Sequence, residues 1–236
     1  MRLVLVMALA TVSWASSGAK RSASGTLRWS EEQPGCTFAQ GEDGKYRYGL
    51  WTDDFGIVMA VDAQEIEKAR RRMETLFAVM VTVRYRGGGA MELGSDEATL
   101  EFVKHYRTRQ VSLAPERLEE TLQKDVDALA QDIGKAISKH PEQQAQKEAE
   151  LREQQEGAAE MKEFLRRQAL RRTRLDRAQP EAGGWLFFKA QGRWLGDWKK
   201  QEEFVLRIPV ANRVAEFPFA LPPSAEDFVL RTRPQN

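Results

Sequence analysis

Apolar residues recur at every second position in two stretches of this chain, and at every third or fourth position in the stretch between them. The first alternating stretch runs from Cys36 to about Tyr106. Tyr46, Tyr48 and Leu50 alternate with Lys45, Arg47 and Gly49, and Phe55, Ile57, Met59 and Val61 continue the habit. Phe77, Val79, Val81, Val83 and Tyr85 do so over a longer strand, which Gly87-Gly88-Gly89 stops; Leu100, Phe102 and Lys104 keep a weaker version. Period two places such residues on one face of a sheet.

Between two of these strands lies DAQEIEKARRRM, where Asp62 and Glu65 form an acidic variant of a capping box and Ile66, Ala69 and Met73 a narrow stripe. This pattern predicts a short helix. A strand–helix–strand order raises the prospect of a parallel pair against an otherwise antiparallel arrangement.

The period changes at Pro115, a residue suited to the first turn of a helix. Leu118, Leu122, Val126, Leu129, Ile133 and Ile137 form one helical face, and Pro141 must end or kink it. A second helix is predicted over 142–172, polar at first (Ala145, Ala149) and richer later (Ala158, Met161, Phe164, Leu165, Ala169). At about 1.5 Å per residue the two would be roughly 35 and 45 Å long, as a hairpin or as one kinked rod. The strand pattern resumes after Pro180 and Gly183-Gly184, with the apolar run Trp185–Phe188. Phe204, Leu206, Ile208 and Val210 alternate next, then Phe217, Phe219 and Leu221, and Phe228–Leu230 closes the series. Pro209 and Pro218 are expected on edges or at strand ends, because proline cannot donate to a ladder.

The pattern therefore predicts an α+β fold. About seven to nine strands from two stretches, 36–114 and 181–236, form two sheets packed face to face, with a helical insertion at 115–180. Residues 20–35 are polar and lack a period, which reads as a flexible arm. Ahead of them, Arg2, the apolar run Leu3–Val12 and the small residues Ala15–Ala19 have the form of a secretory signal peptide cleaved after Ala19. That run is short for a membrane span, and no later segment is long and apolar enough for one. The expected place is therefore the periplasm or the extracellular space.

Composition narrows the functions. The chain has 36 Lys+Arg against 35 Asp+Glu, and loss of Arg2 with the signal leaves a neutral balance. Nucleic-acid binders usually carry a basic surplus, so that class is disfavoured. A single cysteine, Cys36, excludes an intramolecular disulfide, so an ordinary core must hold the fold.

Candidate chemistry is sparse. The only histidines are His105 and His140, and no HExxH, CxxC or GxSxG spacing accompanies them. Asp53-Asp54, between two strands, suits a turn better than a ligand pair, and Gly87–Gly89 joins strands rather than opening a helix, so it reads as a turn. No cofactor or metal is implied, and no enzyme. Arg70-Arg71-Arg72 is one basic cluster; Arg166, Arg167 and Arg171, with Arg172, Arg174 and Arg177, form another. The second helix runs acidic first and basic last, which complements the helix dipole and allows pairs such as Glu148–Arg152 and Glu163–Arg167. Self-pairing accounts for such a helix; binding to acidic envelope polymers is the competing use of Arg166, Arg167 and Arg171. Trp194 and Trp198 lie in QGRWLGDWKK, a loop between strands. Rings there either pack over the end of the sheets or stack on a sugar or a partner.

The stretches LFAVMVTVRYRGGG…TLEFVKHY and GGWLFFKA…EEFVLRIPV resemble the strand order of immunoglobulin-like domains in bacterial exported proteins. GLWTDDFG, WKKQEEFVLRIP and FPFALPP are similar to segments of uncharacterised proteins of that kind. The resemblance implies an immunoglobulin-like β-sandwich and supplies no catalytic or binding residues. The expectation is an exported, non-catalytic interaction module whose helices at 116–172 meet a protein partner. A carbohydrate or envelope-polymer module using Trp194 and Trp198 is the alternative.

Overall fold

The computed structural model describes residues 25–62, 76–104, 107–189 and 201–221. Their strands, in chain order, are β1 (Thr26–Arg28), β2 (Cys36–Gln40), β3 (Lys45–Trp51), β4 (Phe55–Asp62), β5 (Leu76–Tyr85), β6 (Met91–Leu93), β7 (Thr99–Phe102) and β8 (Thr108–Val111). The helices α1 (Pro115–Lys139) and α2 (Gln144–Gln168) follow, and then β9 (Thr173–Leu175), β10 (Glu181–Lys189), β11 (Glu202–Val210) and β12 (Arg213–Leu221). The fold is α+β, with a seven-stranded and a five-stranded sheet whose strands are mostly antiparallel.

The five-stranded sheet is a meander, β2-β3-β4-β5, with β10 added beside β5. The prospect of a parallel pair is overturned: β4 and β5 are antiparallel, from Phe55 opposite Tyr85 to Ala60 opposite Met80. The helix expected between them, with Arg70–Arg72, lies outside the described residues, as do Phe228–Leu230. In the seven-stranded sheet β11 is central. It pairs with β12 on one side and with β6 and β7 end to end on the other. Pro209 sits opposite the break between β6 and β7, where its carbonyl accepts the Gly94 N–H at 3.1 Å. Pro218 lies in β12 beyond the last residue that β1 reaches, so its missing N–H faces no described neighbouring strand.

The alternating residues of both sheets meet in one core. Phe77 lies 5.2 Å, ring to ring, from Phe204, and Tyr48 lies 6.1 Å from Phe219, so aromatics bridge the sheets. Two face-to-face layers with apolar inner faces are what a β-sandwich requires.

Residues 26–29 correct the reading of 20–35 as a flexible arm. β1 pairs in parallel with β12, Trp29 is 7% exposed, and its indole N–H donates to the Thr37 carbonyl at 3.1 Å. Three residues are too few to show alternation, so burial of one tryptophan and a charge pair fixes the strand instead. That pair is Arg28 with Glu216, whose other oxygen accepts from Arg207 at 2.8 Å. Arg207 also donates to Glu101 at 2.5 Å. Burial works against the Arg207 charge, but Glu101 and Glu216 outweigh it and push its pKa up.

The helices begin and end on the free edge of β10. The Leu113 N–H, just before α1, donates to the Phe187 carbonyl at 2.7 Å, and the Leu170 N–H, just after α2, donates to the Trp185 carbonyl at 2.9 Å. The chain arrives from β8 and departs into β9, so both connections cross between the seven-stranded sheet and the five-stranded one. The second helix therefore ends at Gln168 rather than near 172. Gly183-Gly184 lies inside β10 rather than before it, for a steric reason: a Cβ on Gly184 would stand 2.6 Å from the Gln168 carbonyl oxygen and 2.7 Å from the Leu170 nitrogen.

Replacing Gly184 by alanine should cost roughly 1–3 kcal/mol, the range for forcing an extra carbon into a packed site. By contrast, a Cβ on Gly134, mid-α1, meets open space, and Gly134→Ala should stabilise by about 0.5–1 kcal/mol through helix propensity. Chemical denaturation of both variants checks the pair; a wild-type midpoint for Gly184→Ala contradicts the steric account. Arg207→Met, which leaves Glu216 short of a cation, should cost about 2 kcal/mol in the same assay.

Candidate functional site

α1 and α2 run side by side in opposite directions. Glu116 pairs with Arg171 beyond the end of α2, Glu119 with Arg166 at 3.5 Å, and Gln123 accepts from Lys162. A break at His140 and a single 3-10 turn at Pro141–Gln143 reverse the chain, since Pro141 cannot continue α1.

Only the base of the two helices meets the sheets. Leu118 and Leu165 are buried with Phe187, and Leu122, Met161, Leu76, Ala78 and Trp185 pack around them. This cluster lies on the outer face of β5 and β10, away from the core. Phe164, 39% exposed, adds a tilted contact to Trp185 at 6.5 Å and an edge contact to Phe187 at 6.3 Å. Apolar contact with the sheets stops at Leu122 and Met161. The remaining turns of α1, beyond Leu122, extend for about 25 Å at the usual helical rise. Along them Val126, Leu129 and Ile137 are half-buried and Ile133 is 5% exposed, while Ala145 and Ala149 of α2 are exposed.

Four of the basic residues singled out in the sequence, Arg166, Arg167, Arg171 and Arg172, lie at this base. Arg166 is within 3.5 Å of Glu119 and 3.6 Å of Glu163, Arg167 within 2.5 Å of Glu163, and Arg171 pairs with Glu116. Of the two pairs expected along α2, Glu163–Arg167 forms; Glu148 accepts instead from Gln144 at 2.7 Å. Arg172 reaches Asp96 at 3.0 Å and Glu97 as well, and the two carboxylates, Asp96 first, push its pKa up. The arginines therefore face carboxylates of their own chain and tie the helices to each other and to the turn before β7. Sequence reasoning missed Asp96 and Glu97, whose pairing depends on a contact between segments far apart in the chain.

Trp194, Trp198 and His105 lie outside the described residues. His140 is exposed at the helix break, its Nδ1 3.2 Å from Glu142. Asp53 and Asp54 are exposed in the β3–β4 turn, where Thr52 Oγ1 accepts the Phe55 N–H at 3.0 Å and the Asp54 carbonyl accepts from Arg86 and Gly87. The two aspartates lie in a turn, as the sequence suggested, and the side chain that bonds across it is that of Thr52. Among the described residues, no three His, Cys, Asp or Glu side chains gather as a metal site would require, and Cys36 is a half-buried free thiol. No helix among the described residues is long and apolar enough to cross a membrane. No protein family, curated protein or solved structure matches the chain.

Proposed function

We propose that this protein is an exported, non-catalytic interaction module: an immunoglobulin-like sandwich that holds an inserted helical hairpin out to a protein partner. The observation that carries this reading is the unsupported length of α1 and α2, which leave the sheets after Leu122 and before Met161. Helices in proteins gain most of their stability from packing an apolar face. Here that face is shared between two helices over the free length, and Val126, Leu129 and Ile137 stay half-exposed. A partner helix laid along this seam would complete their burial. Export rests on the apolar run Leu3–Val12 and the small residues after it. The immunoglobulin-like kinship rests on the stacking of two sheets, since the β2–β5 meander does not itself supply a Greek-key order.

The envelope-polymer reading gains less support, because Arg166, Arg167 and Arg171 already face Glu119, Glu163 and Glu116. Their charges are spent within the chain.

The clamp on β10 makes a clean test available. Leu113 and Leu170 bond to residues two apart on one strand, so their attachment points are separated by about 7 Å. Excising 115–168 and joining the ends with a short Gly-Ser linker should leave a folded sandwich with cooperative unfolding. In co-sedimentation with fractions of the host envelope, the intact mature chain should bind and the excised one should not. Retained binding after excision, with the sandwich folded, would overturn the assignment to the helices.

A further inference from the structure

The turn after β5 and the turn before β10 meet at one end of the sandwich and enclose a notch of about 310 Å³. Arg86 and Arg177 line it, with Tyr85, Gly88 and Asp176. The walls are fixed from several directions. The Tyr85 N–H donates to the Pro180 carbonyl at 2.7 Å, which ties the two turns together. Arg86 and Gly87 donate their N–H groups to the Asp54 carbonyl at 2.7 and 3.1 Å. Gly89 donates to the Tyr85 hydroxyl at 2.7 Å, so that hydroxyl keeps its own proton to give elsewhere.

The two guanidinium groups are held without a carboxylate. Arg86 lies 5.1 Å over the Trp51 ring, a cation–π contact that orients the group and leaves its N–H donors unspent. Trp51 can lie flat across the sheet only because Gly56 has no side chain: a Cβ there would come within 2.1 Å of the ring. Arg177 reaches to the space over Gly88, 3.9 Å from where a Cβ would stand. Among the described residues neither arginine has an ion pair with an acidic side chain, whereas Arg84, near the end of β5, is paired with Glu181 at 2.8 Å. The negative group of the lining is Asp176, and it is engaged. Its Oδ1 accepts the Ala178 and Gln179 N–H groups at 2.8 and 3.0 Å. These bonds, Gln179 first, hold its carboxyl below the usual range, with Arg174 adding to the effect.

We propose that this notch binds a small oxyanion, a carboxylate or phosphate group, between Arg86 and Arg177. The guanidinium fork matches the paired oxygens of either group, and the stacked Arg86 loses little freedom on binding. Trp51 serves as a positioning residue, acting through Arg86.

The test is titration of the intact mature chain with inorganic phosphate and, separately, with acetate. Ionic strength is held constant with chloride, and the amide resonances of Gly87, Gly88 and Gly89 are followed. Saturable shifts at these glycines are expected, and the better-bound probe tells phosphate from carboxylate. Arg86→Gln with Arg177→Gln should weaken binding about tenfold or more, as loss of charge-assisted hydrogen bonds requires. Arg84→Gln should leave binding unchanged. Trp51→Leu should weaken it while both arginines remain. Absence of saturation with both probes in the wild-type chain, or equal affinity in the folded double variant, overturns the proposal.

Discussion

Two backbone hydrogen bonds to one strand decide the layout of this molecule. Phe187 and Trp185 of β10 accept the N–H groups of Leu113 and Leu170, the residues at which the chain enters and leaves its helices. An exposed strand edge is a liability in a sheet protein, and here the helical roots cover part of it. The same bonds place the two connections side by side, so α1 and α2 must leave together. They also draw the Gln168 carbonyl so near to Gly184 that only glycine fits. Gly184, the end of α2 and the direction of both helices are consequences of one constraint.

The outer face of β5 and β10 then takes on a second task. A strand in a two-layer sandwich ordinarily turns alternate residues to solvent, but Leu76, Ala78, Trp185 and Phe187 instead receive Leu118 and Leu165. This small cluster, separate from the main core, sets where support for the helices ends. The ion pairs around it, Glu116–Arg171, Glu119–Arg166 and Arg172 with Asp96 and Glu97, are exposed and add orientation more than stability. On the other sheet the charge cluster is less exposed and matters more. Arg207 joins Glu101 to Glu216, and Glu216 in turn secures β1 through Arg28.

Long elements were legible in the sequence because their periodicity had room to show. The alternation from Phe77 to Tyr85 and the stripe from Leu118 to Ile137 each read as the elements observed, and Pro141 marked the reversal. Short elements were not legible. β1, β6 and β9 have three residues each, and their pairing is set by β12, β11 and β6 rather than by local preference. Gly183-Gly184 read as punctuation because close backbone approach, the reason for glycine there, depends on residues near 168. The candidate site was half legible. Helix length and the basic cluster could be read, yet the carboxylates that engage Arg171 and Arg172 come from positions 116, 96 and 97 and are visible only in three dimensions.

The central claim is that the helices are held to the sandwich through β10. Native-state hydrogen exchange, resolved by residue, tests it most directly. The Leu113 and Leu170 amides should exchange only through opening of the sandwich, with protection like that of the β5–β10 ladder, while amides near Ser138 and Ala145 exchange through local fraying. Exchange at Leu113 and Leu170 as fast as at the helix tips, with the β5–β10 ladder still protected, would contradict the account.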